Sequence, residues 1–156
     1  MPDPVAIQPN LQNTLRGVVV INGKLFRKKI REYQCSIDMT AVALATNNNS
    51  IQINPTEMPF MLQKIHVNDS LDGNTLTNQQ EMFIGAVDNE SGYQWTDGQV
   101  PRAAFAGDRI FGYTLPEELP IRSNTRVTFT AQNPATAPAG VHTATITLVG
   151  YELWPL

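Results

Sequence analysis

A single cysteine in 156 residues, Cys35, excludes an intrachain disulfide and any metal site built on paired thiolates. Histidine is nearly as scarce, with only His66 and His142. Charged side chains make up 16% of the chain, below the roughly 25% of average globular domains. The polar surface is left to Asn, Gln and Thr, residues of strand faces and loops rather than of helix exteriors. No apolar run approaches the roughly 18 residues that cross a bilayer, and Met1-Pro-Asp-Pro-Val lacks the basic-then-apolar pattern of a secretory signal. The expectation is a soluble chain made in the cytoplasm, with no membrane partner. Its length suits one domain with a substantial core.

What the chain does have is period-2 alternation. Arg126–Gln132 and His142–Val149 alternate polar with apolar residues rich in Thr, Val, Ile and Phe, and an Asn/Pro/Gly cluster separates them. They read as two antiparallel strands of one sheet with a wet face. In the second, Ala144, Ile146, Leu148 and Gly150 fall on the more apolar side and are expected in the core. Asn22-Gly23 lies between two strand-like runs and predicts a type I′ hairpin. Further strands are expected at Ser50–Ile53, Phe60–Val67 and Glu81–Val87, with a loop at Asn47–Ser50 and a turn at Asn68–Asn74. Thr40–Thr46 fits either a short helix or a buried strand. Residues 93–124 look least regular, with at most one helical turn at Leu115–Pro120. About eight short strands, punctuated by eleven prolines and ten glycines, give the expected fold: an all-β, single-domain antiparallel β-sandwich, jelly-roll-like, at 16–156, preceded by an extended N-terminal arm at 1–15.

Charge is unevenly placed. Arg16, Lys24, Arg27, Lys28, Lys29 and Arg31 face only Asp3 and Glu32 over residues 1–33, leaving that segment near +4. The remaining five bases meet twelve acids, near −7. Such a split points to an end that docks on an acidic surface, or to a solvated strand edge that resists aggregation.

No catalytic pattern accompanies these features. His66 stands mid-strand and His142 opens the last strand, neither beside a nucleophile motif. The Asp69–Asn74 segment lacks the spacing and terminal Glu of a Ca²⁺ loop, and Glu117-Glu118 reads as loop charge. No phosphate-binding glycine loop occurs. Phe26 reads as core, so the basic run lacks the stacking rhythm of a nucleic-acid groove, and nucleic acid is not an expected partner. Tyr93, Trp95 and Tyr113, with Asn89 and Asp97 nearby, would form either a sugar-stacking platform or a packed interface.

One resemblance is carried by a series of segments: Ile51-Gln-Ile-Asn-Pro55, Pro59-Phe-Met-Leu-Gln-Lys-Ile65, Gly92-Tyr-Gln-Trp95, the Gly107/Gly112 stretch with Pro116 and Leu119-Pro120, Thr128-Phe-Thr130 with Asn133, and Leu148-Val-Gly-Tyr-Glu-Leu153. Residues 50–153 in this order resemble the jelly-roll virion proteins of tailed bacteriophages, the capsid cement or decoration type. The resemblance implies a non-enzymatic structural protein on the phage head surface, without cofactor or metal. Its implied partners are the major capsid protein and other copies of itself, as a dimer or trimer. A collar or tail protein with a glycan-binding surface is the alternative. The basic hairpin lies outside the matched region. Its candidate role, capsid attachment through Arg16, Lys24, Arg27, Lys28, Lys29 and Arg31, rests on charge alone.

Overall fold

Asn22 and Gly23 take φ angles of 50° and 74°, the left-handed values of a type I′ turn. They join β1 (Val18–Ile21) to β2 (Lys24–Met39). The computed structural model describes residues 17–53, 58–71, 74–75, 81–107, 111–135 and 142–156. Along these follow β3 (Thr46–Gln52), β4 (Phe60–Leu71), β5 (Asn74–Thr75), β6 (Phe83–Asp88), β7 (Val100–Pro101), the one-turn helix α1 (Arg102–Ala106), β8 (Tyr113–Ile121), β9 (Arg126–Gln132) and β10 (His142–Pro155). The expected arm at 1–15, and Arg16 with it, lie outside the described residues.

Two sheets form. One runs β1-β2-β10-β4, with β5 and β8 sharing the far side of β4; the other runs β3-β9-β6-β7. With β1 and β5 set aside, eight strands remain, and they pair from the outside inward. The first pairs with the last (β2–β10), the second with the seventh (β3–β9), the third with the sixth (β4–β8) and the middle two with each other (β6–β7), all antiparallel. This nested pairing, split over two sheets, is a jelly roll.

The core follows from alternation. Ala144, Ile146 and Leu148 of β10 are fully buried, as are Val127 and Phe129 of β9, while Thr143, Thr145 and Thr147 stay half-exposed. Strand β10 lies between β2 and β4, so its inward residues reach both neighbours. Beside it β4 carries a bulge: Val149 pairs with Lys64 but Gly150 with Leu62, leaving Gln63 over. On one side of the bulge Ile65 and Val67 point inward, on the other Leu62 and Phe60 do. Without the extra residue one of these sets would face solvent. Strand β8 accommodates the bulge by its own excursion between Thr114 and Leu119, where Gln63 Nε2 donates to Glu118 Oε1 at 2.8 Å.

The free edge of β2 is covered by asparagines. Asn47 Nδ2 donates to the Asp38 carbonyl oxygen at 2.7 Å and Asn49 Nδ2 to that of Ser36 at 2.8 Å. Side-chain amides thus stand in for a strand and blunt the edge. Among the described residues, only β1, β2 and β10 run on past the row formed by Phe60, Glu152 and Lys29, so the hairpin extends one corner of the sheet.

Several expectations are corrected. Strands β9 and β10 share no sheet; the chain crosses between layers, because alternation marks a buried face and says nothing of the partner strand. Asn47–Ser50 is the body of β3 and not a loop, its asparagines held by the contacts to β2. Thr40–Ala45 is neither helix nor strand but bends and turns. Asn68–Leu71 continues β4 instead of turning. Leu115–Pro120 is part of β8, with no helical turn, and Phe26 is half-buried on the hairpin, outside the core.

Candidate functional site

The basic hairpin is less free than its charge implies. Lys28 Nζ stands 4.2 Å over the Tyr151 ring and Lys29 Nζ 5.0 Å from the Trp154 ring centroid. Arg31 Nε lies 3.2 Å from Glu152 Oε2. Three of the six predicted bases are therefore matched to the Tyr151-Glu152-Leu153-Trp154 segment by the β2–β10 register, in which Lys29 faces Glu152 and Arg27 faces Trp154. Lys24 and Arg27 remain exposed.

Glu152 anchors this end. Its side chain is only 1% exposed, and besides Arg31 it accepts the Tyr33 hydroxyl and the Trp154 indole N–H, both at 2.9 Å. Burial pushes its pKa up, but the hydrogen bonds from Tyr33, Trp154 and Arg31 and the Arg31 charge outweigh that and hold it below the ordinary carboxylate value. On the opposite face Tyr151 donates a short hydrogen bond to Glu118. That bond lowers the Glu118 pKa, while burial and the Glu118 contact push the Tyr151 hydroxyl up to about 12. These acids are bound tightly by neutral and cationic donors, an arrangement suited to holding strands together.

Beyond this anchored zone the hairpin exposes apolar side chains on both faces. Val20 is 66% exposed, with Leu25 and Ile21 also open, and within the zone Ile30, opposite Tyr151, is 78% exposed. Val20 and Leu25 are cross-strand partners on one face.

The structure brings Tyr93, Trp95 and Tyr113 together. They line one pocket of about 270 Å³ with Ile65, Thr96, Ala104, Phe105, Leu115 and Leu119. The pocket opens where β4 and β8 of one sheet meet α1 and the 93–96 loop. Trp95 forms its floor, held edge-on against Phe129 of the core at 5.9 Å, while Tyr93 is 63% exposed at the rim. Neither Asn89 nor Asp97 lines it; the Asn89 amide donates to Thr128 Oγ1 at 2.8 Å.

A polar node absent from the sequence reading ties α1 to β4. Arg102, almost fully buried, places Nε 3.4 Å from Asp69 Oδ1 and Nη2 3.1 Å from Glu81 Oε1, and Nη1 donates to the Gly107 carbonyl oxygen at 2.9 Å. Its signal in the sequence is faint: Arg102 is the one base between Lys64 and Arg109, inside the apolar run Val100–Ala106. The histidines occupy structural settings. His142 is buried with Nδ1 3.1 Å from Asn133 Oδ1, and Asn133 Nδ2 donates to the carbonyl oxygens of Thr40 and Val42. His66 is half-buried within β4. Among the described residues no group of three or more His, Cys, Asp and Glu side chains gathers as a metal site would.

The nested pairing and two-layer core define an all-β jelly-roll sandwich. No protein-family model matches the chain, and no curated protein matches it in sequence. Among solved structures, a chain of Desmodium yellow mottle tymovirus is similar over 100% of this chain and 97% of that one, at 13% identity and a TM-score of 0.35. So loose a likeness carries nothing about partners, and it does not speak for the accessory proteins of tailed phages in particular. No helix among the described residues is long and apolar enough to cross a membrane.

Proposed function

We propose that this protein is a non-enzymatic structural component of a virion, a jelly-roll unit that works by contact with its neighbours. The observation that carries the reading is the pairing of a nested eight-strand jelly roll with a hairpin that extends one corner and exposes Val20, Ile21 and Leu25 beside Lys24 and Arg27. Jelly rolls build viral shells and lectins alike. Shell work needs surfaces that reach neighbouring subunits, whereas sugar binding needs convergent polar groups. The first is the better match.

The finer form of the proposal is capsid cementing. The protein sits on the head surface of a bacteriophage as a homo-oligomer and bridges adjacent major capsid protein subunits. A bridge that forms only on the assembled lattice stabilises the lattice by mass action. No cofactor takes part. The second reading, a collar or tail protein that binds a glycan, is favoured by the three aromatics around one pocket. It is weakened by the lining, where among the described residues the polar side-chain groups are Thr96, two tyrosine hydroxyls and the Trp95 indole, with no carboxylate or amide.

Quantitative mass spectrometry of purified particles from an infected culture tests the proposal. Hundreds of copies per particle are expected. Six or twelve copies would move the protein to a collar or tail, and absence from particles would overturn the virion reading.

A further inference from the structure

The hairpin and the aromatic pocket sit at opposite edges of the same sheet. Strand β1 bounds it on one side, and β8, which carries Tyr113, Leu115 and Leu119, bounds it on the other. One is an exposed apolar projection; the other is an open apolar recess. With β2, β10 and β4 between them, the hairpin and the pocket of one molecule are separated by the width of the sheet.

We infer that the β1–β2 hairpin of one copy docks, by its Val20–Leu25 face, into the Tyr93/Trp95/Tyr113 pocket of a second copy. The chain thereby associates head to tail. The inference rests on the homo-oligomer part of the reading above and not on its virion part.

Three observations support this occupant over others. The first is size: about 270 Å³ lies just under the roughly 300–1,000 Å³ typical of small-molecule sites and suits a pair of aliphatic side chains. The second is chemistry. Among the described residues no charged side chain lines the recess, so an apolar anchor enters without stranding a buried charge. The third is charge at the margins. The segment that supplies Tyr93, Trp95 and Thr96 also carries Asp88, Glu90 and Asp97, of which Asp88 and Glu90 line a separate recess with the single base Arg122, while Lys24 and Arg27 are exposed on the hairpin beside Leu25. Opposite signs around an apolar centre steer encounter and fix orientation. A contact between two different patches of one chain closes as a dimer only when both copies exchange it reciprocally; with the two patches at opposite edges of the sheet, the head-to-tail arrangement instead builds a ring of three or more or a filament.

Complementation in the full-length protein tests this. Leu25→Asp disables the hairpin and leaves the pocket intact; Tyr93→Asp does the reverse. Both positions are exposed, and thermal melts confirm that each variant folds; if Leu25→Asp does not, Val20→Asp on the same face replaces it. In sedimentation, the wild type is expected to assemble beyond a dimer. Each variant alone should associate about tenfold more weakly or worse, the effect of losing roughly 1.4 kcal/mol. An equimolar mixture of the two should form 1:1 dimers and nothing larger, because one intact hairpin meets one intact pocket.

A wild type that stays monomeric overturns the inference, as do variants that still assemble or a mixture that gives no dimer. Binding of soluble oligosaccharides that is lost in Tyr93→Asp, in a chain that does not self-associate, overturns it in favour of a glycan site. Monomers in solution with abundant copies in particles would sink this inference alone; assembly in solution with none in particles would sink the virion reading alone.

Discussion

Gly150 lies against the backbone of Met61, so close that a Cβ at this position would overlap the Met61 carbonyl oxygen and come within 2.8 Å of the Phe60 ring. The glycine is required for space at the bulge, where β10 and β4 change register. Gly150→Ala is expected to cost about 1–3 kcal/mol through overpacking. In a domain of this size that lowers Tm by about 2–4 °C per kcal/mol. A calorimetric melt unchanged within a degree would contradict it.

Truncation along β10 should split by parity. Ile146→Ala and Leu148→Ala empty fully buried positions and are expected to cost about 2–5 kcal/mol each. Thr147→Ala on the half-exposed face should cost about 0.5 kcal/mol. Thr145→Ala should cost slightly more, since its hydroxyl meets Ser36 Oγ at 3.2 Å. Equal losses for all four in urea titrations would mean that the outer face is covered by another subunit.

Removing Arg102 takes a cationic partner from the Asp69 carboxylate, which is 0% exposed. Arg102→Ala is expected to destabilise by about 3–5 kcal/mol, as for other buried pairs that lose one partner. Adding Asp69→Asn should restore part of the loss, because the buried negative charge goes with it. A double-mutant cycle with no coupling would show that the 3.4 Å contact contributes nothing.

The acid limb of stability should report Glu152. Its folded pKa is depressed, so its contribution is present above the ordinary value of 4.5 and is lost as pH falls from there through the folded value. Glu152→Gln should flatten the decline in Tm between neutral and acid pH. Glu118, also depressed but exposed, contributes in the same direction and more weakly. An unchanged acid limb in Glu152→Gln would remove Glu152 as the titrating group.

Burial pushes the Cys35 thiol up to about 11, so little thiolate exists at neutral pH. A colorimetric thiol reagent at pH 8 should label the native protein far more slowly than the denatured chain. Comparable rates would show that the half-buried thiol is open to solvent.

Where one residue governs its own environment, the sequence was legible. Asn22-Gly23 specifies a turn because both residues tolerate positive φ, and the 144/146/148 set marks the core face because side chains alternate strictly. Partnership was not legible. Nothing local tells β9 that its neighbours are β3 and β6 instead of β10, and nothing in Asn47-Asn-Asn says that amides will substitute for a strand beside β2. The basic cluster misled for the same reason: its partners Tyr151, Glu152 and Trp154 lie more than a hundred positions away. The sequence marks Tyr93, Trp95 and Tyr113 as a group, yet only the packing of β8 against the 93–96 loop shows that they share one recess.

The outside-in pairing also dictates an order of events in time. Met39 meets His142 and Phe26 meets Pro155, so the longest strand stays without its main partner until some hundred further residues have been made. Contacts of such separation slow folding, since the entropy of closing the loop is lost before the contact repays it. During that interval β2 presents Ile30, Ile37 and Met39 on an open edge, a template for pairing with another chain. Its lysines and arginines then act as guards on a nascent strand. Replacing them with neutral residues should reduce the soluble yield from synthesis before it changes the melting temperature of the finished fold.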